Sequence, residues 1–123
     1  MAVVKRGAVA DPTLPKETVE VEAIGGEVVV RGLLLSERQE LEDLMVRLAK
    51  AKREASESGG EAPGMSTIMP RLLHLAVLDA DGLQLWSAQQ WQVFGGKHHG
   101  QASALFLVAW RLAGFAQADN AKN

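Results

Sequence analysis

A two-residue alternation followed by paired glycines constrains this chain most. Val19 and Val21 alternate with Glu20 and Glu22, so an extended backbone puts valines on one face and carboxylates on the other, as a half-buried strand requires. Gly25 and Gly26 then supply a tight reversal, and Val28, Val29 and Val30 are β-branched and stiff, which favours a second strand. Residues 17–23 and 27–31 therefore predict a β-hairpin. Beyond Gly32 the period changes: Leu41, Leu44, Met45 and Leu48 recur at i, i+3, i+4 and i+7, the spacing of one helix face. Ser36 with Gln39 three residues on has the form of a capping box. Acidic side chains crowd the first half of this segment while Lys50, Lys52 and Arg53 crowd the second, as the helix dipole favours. A helix is expected from residue 36 to about residue 57.

The remaining segments follow from local chemistry. Residues 1–16 hold Gly7, Asp11, Pro12 and Pro15 without periodicity and read as an irregular leader. Residues 58–64 are a flexible loop by composition. Pro70 is expected in a first helical turn, where its missing N–H costs nothing, and Leu72, Leu73, Leu75, Ala76, Val77 and Leu78 then continue as a strongly apolar helix. Asp79 to Gly82 has the residue types of a turn, residues 83–86 a short extended piece, and Ser87 a cap for a helix carrying Trp91 and Phe94. The glycines between Gly95 and Gly100 break the chain before a last helix over about residues 101–115. The expected organisation is a leader (1–16), one α+β domain (17–116) with an N-terminal β-hairpin packed on about four helices, and a flexible polar tail (117–123).

Composition removes several function classes. A chain of 123 residues buries one modest core, and a net charge of -2 gives no global positive field, so nucleic acid is not an expected partner. Without cysteine there is no disulfide framework or thiolate chemistry, which fits a reducing compartment. The opening residues are not arranged as a secretory signal, and no apolar run approaches the ~20 residues of a membrane span. A cytoplasmic protein with no membrane partner is expected.

Candidate chemistry is sparse. Asp79, Asp81 and Gly82 fall short of a calcium loop, because the glycine comes fourth and Gln90 stands where a bidentate Glu is needed. His98 and His99 are adjacent and point different ways, while His74 lies in an apolar segment, so no metal site is expected. Gly95, Gly96 and Lys97 lack the upstream glycine and the following Ser/Thr of a phosphate loop, and no nucleophile elbow occurs. The chain therefore reads as a non-enzyme without cofactor. Trp91 and Phe94 read as core. On the last helix, Leu105, Val108, Ala109 and Leu112 share one face while Phe106 and Trp110 lie beside it, an apolar arc of roughly 220°. A monomer's surface helix does not need that width, so these six residues are the candidate partner or self-association surface.

Several pieces also carry a family likeness. Leu14, Pro15, Lys16 and Glu17 lead into Val19, Glu20 and Val21. The run from Gly26 to Leu33 precedes the helix start at Ser36, Glu37 and Arg38. Leu78, Asp79, Ala80, Asp81 and Gly82 follow, and Arg111, Leu112, Ala113, Gly114 and Phe115 close the series. In order and spacing, over most of residues 14–123, these resemble the tail assembly chaperones of bacteriophages with long, non-contractile tails. The resemblance implies a small protein of the infected host's cytoplasm that coats the tape measure protein, keeps it soluble while tail tube subunits polymerise around it, and is absent from the finished virion. It implies self-association into a homo-oligomer, and recruitment of tail tube protein through a longer, frameshifted form. It implies no catalytic residue. A structural minor tail or head-to-tail joining protein, retained in the virion, is the competing expectation; a small enzyme seeded by His74 or the Asp79/Asp81 turn is the third.

Overall fold

The computed structural model describes residues 2–58 and 65–115. A short 3-10 turn at Arg6–Ala8 precedes strands β1 (Lys16–Val21) and β2 (Gly26–Arg31), helices α1 (Leu35–Ser58) and α2 (Met65–Ala76), strand β3 (Val77–Leu78), and helices α3 (Ala88–Lys97) and α4 (His99–Leu112). The architecture is α+β, with the hairpin extended to an antiparallel sheet of order β1-β2-β3. Around Arg6–Ala8 the leader is exposed; the expected loop and polar tail lie outside the described residues.

The valine alternation sets the sheet's two faces. Val19 pairs with Val28 and Val21 with Gly26, on the face turned to the helices, while Thr18 faces Val29 and Glu20 faces Glu27 on the other. Gly25 closes the reversal at a φ of 91°, a conformation that costs a side chain but not glycine. Gly32 is needed for another reason: a Cβ there would lie 2.9 Å from Pro15 Cγ and 3.0 Å from the Leu112 carbonyl oxygen.

The start of α1 and both ends of α2 differ from expectation. Helix α1 begins before Ser36, because the Leu34 carbonyl accepts from Arg38 N–H (2.9 Å) and Glu37, not Gln39, reaches back to Leu34 N–H (2.9 Å). This half of a capping box works without a side-chain cap, since Glu37 at N3 satisfies the orphan donor. Helix α2 starts at Met65, so Pro70 stands inside it rather than in its first turn. Proline gives no N–H to the Ser66 carbonyl, and Gln92 Nε2 from α3 supplies that bond instead (3.2 Å). Finally, α2 ends at Ala76, and Val77 and Leu78 pair with Val30 and Val29 as β3. Val77 is fully buried there, in a strand slot that suits its branched side chain.

The core lies between the valine face of the sheet and α2, α3 and α4. Val30, Leu72, Leu73, Val77, Trp91 and Leu105 are each less than 2% exposed. Burial of such side chains contributes about 1.5–3 kcal/mol each. The exposed ion pairs, such as Arg111 with Glu17 (2.8 Å) and Arg71 with Glu40, contribute about 0–1 kcal/mol, so burial decides the fold.

Candidate protein-binding site

The six residues expected to form one partner surface on the last helix do not lie together at the surface. Leu105, Phe106 and Ala109 are buried in the subunit's own core, and Val108, Trp110 and Leu112 are half-buried against it. The wide apolar arc has an internal cause. Helix α4 packs on α2, on α3 and on both strands of the hairpin, so more than one of its sides meets other elements. Trp110 stacks between Phe106 (5.5 Å between centroids) and Phe115 (4.5 Å), and the Arg38 guanidinium lies 4.9 Å above the Phe115 ring. These aromatics fasten α1 to the end of α4. The large apolar side chain that α4 leaves in the open is Leu107, 65% exposed.

A more accessible apolar surface forms where α3 meets the hairpin turn. A groove of about 460 Å³ is lined by Ala23, Trp86, Gln89, Val93, Phe94 and His98. Its construction is local. Ser87 caps α3 with a complete capping box: its Oγ accepts from Gln90 N–H (3.2 Å) and Gln90 Oε1 accepts from Ser87 N–H (2.9 Å). The residue before the cap, Trp86, packs on Trp91 (4.7 Å between centroids), the N′ and N4 positions of a hydrophobic staple. The Trp86 carbonyl also meets His74 Nδ1 at 2.9 Å, so α2 holds the tryptophan from behind. Phe94 completes the aromatic wall, 5.3 Å from Trp86, with His98 5.2 Å beyond it. Val93 stands on the open rim, 66% exposed. The sequence contains a signal for it: on the helix wheel Val93 lies about 100° from Phe94 and about 200° from Trp91, off the core stripe. The groove offers an aromatic wall, an apolar rim and the Gln89 and Lys97 side chains at its edge.

Of the chemistry-bearing residues, His74 and Asp79 are held by backbone groups. Asp79 Oδ1 accepts from the Asp81 and Leu83 N–H groups (2.8 and 3.0 Å), closing the expected turn with Gly82 at a φ of 80°. His98 sits at the junction of α3 and α4. That junction is a single residue, because both helices run closer together than the glycines lead one to expect: Gly95 and Gly96 belong to α3 and Gly100 to α4. Among the described residues no three His, Asp or Glu side chains gather as metal ligands, and no helix is long and apolar enough to cross a membrane. The perturbed ionisable pair is Arg31 with Glu37, bidentate at 2.8 and 2.9 Å. The Arg31 hydrogen bond holds the Glu37 carboxyl below the usual range, and Glu37 in turn raises the guanidinium. It joins the end of β2 to the first turn of α1, a structural task. Comparison with protein-family models, curated protein sequences and solved structures finds no match to this chain.

Proposed function

We propose that this protein is a phage tail assembly chaperone, which binds the tape measure protein, keeps it soluble and helps recruit tail tube subunits. The observation that carries this reading is the open aromatic groove of α3, with Trp86 and Phe94 as its wall and Val93 on its rim. It adds to the order of sequence pieces that resembles that family. The physical task fits the surface. A long helical client with exposed apolar stripes aggregates, and a groove that takes one apolar side chain covers one turn of the stripe. Each contact is weak; many copies along one client give avidity.

The test is co-expression with the tape measure protein from the same gene neighbourhood. Wild-type chain is expected to raise the client's soluble fraction and to elute with it. Val93→Glu places a charge on the open rim without touching the core, so it should keep the fold by circular dichroism and lose client solubilisation. A client that stays equally insoluble in the presence of folded wild-type chain sinks the function. Full activity of Val93→Glu sinks the site. Detection of the protein in purified virions by mass spectrometry assigns it to the minor tail class instead.

A further inference from the structure

The sheet ends at β1, which pairs on one side only, with β2. Gly32 N–H donates to the Pro15 carbonyl (2.8 Å), which fixes the alternation of the β1-β2 ladder. Residues 17, 19 and 21 turn their backbone groups to β2, and Lys16, Thr18 and Glu20 turn theirs outward, where the sheet ends. Beside this edge runs a groove of about 230 Å³ between β1 and α4, with Val19, Val21, Ala104 and Leu105 along its walls. The turn end of this edge is acidic, while Lys16 stands at its other end. Glu20 stands directly opposite Glu27, a like-charge pair that costs stability, and Glu22 follows at the turn. None of these three enters an ion pair among the described residues.

We infer that this edge accepts residues 2–6 of a second copy of the chain as a fourth strand. That segment, Ala2, Val3, Val4, Lys5 and Arg6, combines two β-branched residues with two cations. Val3 and Val4 are 93% and 76% exposed, the least covered valines among the described residues. Five extended residues span about 17 Å, close to the length of β1. Setting Lys5 beside Glu20 places Val4 and Arg6 on the opposite face, beside Val19 and Val21, whichever way the strand runs. Thr13 and Leu14 of the chain's own leader line a hollow with Leu34, Leu78 and Gly82. Reciprocal exchange between two copies gives a closed two-fold dimer. The glutamates then act as a filter: they repel acidic strands and favour a basic one.

Charge reversal tests this with the full chain. Wild type is expected to show concentration-dependent dimer mass by light scattering. Lys5→Glu with Arg6→Glu, and separately Glu20→Lys with Glu22→Lys, should each weaken the dimer at least about tenfold, whereas an equimolar mixture of the two variants should restore it, because both exchanged contacts are complementary again. Thr18→Pro removes one outward N–H and leaves the β2 ladder intact, so it should weaken the dimer without changing the secondary structure. A wild type that stays at 13.2 kDa at high concentration overturns the inference. So does a dimer that survives both charge variants and Thr18→Pro, or a mixture no tighter than its components. Client solubilisation by Val93→Glu is read separately, so failure of one assignment leaves the other in place.

Discussion

Glu37 shows how one carboxylate fixes a junction between two kinds of secondary structure. It accepts two bonds from Arg31 and one from Leu34 N–H, so the last residue of β2 and the orphan donor of α1 share a single anchor. Both side chains are mostly withdrawn from solvent, at 14% and 16% exposure, where paired charges are worth more than on an open surface. Glu37→Gln should therefore cost about 1–3 kcal/mol at neutral pH, measured by urea unfolding. The pH dependence follows from the direction of the shift. A carboxyl whose folded pKa lies below its unfolded value adds stability above the unfolded value, and that gain is lost as pH falls through the folded one. The gap between wild type and Glu37→Gln should then close in acid. A gap that is the same at about pH 7 and about pH 2 rules this account out.

Helix α3 carries its information in its ends and its glycines. Ser87, Gln90 and the two tryptophans fix its start, and the capping residue and aromatic core were legible because they depend on neighbours in sequence. The hairpin was legible for the same reason. Strand β3 was not, because Val77 and Leu78 continue an apolar helical run, and only the vacant edge of β2 draws them into the sheet. The apolar arc on α4 read as a partner surface because such an arc looks alike whether a second subunit or the chain's own strands and helices cover it; here the chain's own core takes up most of it. Gly95 and Gly96 misled in the other direction, as breakers that are in fact helical. A Cβ at Gly96 meets nothing within 4 Å, and the residue has no positive φ, so no steric reason requires glycine there. Gly96→Ala should raise stability by about 0.5–1 kcal/mol in thermal unfolding. A loss of stability would show that the backbone of α3 needs its freedom.

Stability is spread unevenly over the molecule as a whole. Helices α2 and α4 and strand β2 converge on side chains with almost no exposure, among them Val30, Leu72, Leu73 and Ala109. Helix α1 is different: its 24 residues extend about 36 Å, but among its described side chains Leu41 alone is fully buried, with Leu44, Met45 and Leu48 half-covered one and two turns later. Beyond Leu48, Lys50, Lys52, Arg53 and Glu54 are exposed, and the packing of α1 on the rest is chiefly with α2. Local opening free energy follows buried apolar contact, so the second half of α1 should open well below the global limit. Native-state hydrogen exchange is expected to rank amides of β2 and α4 slowest and those of residues 49–56 fastest among the helices. Leu41→Ala removes the anchor and should cost about 2–5 kcal/mol. It should also speed exchange along α1 more than in α4. Equal protection of residues 49–56 and α4 in the wild type would mean that something covers the far half of α1, and the exchange-protected amides would locate it.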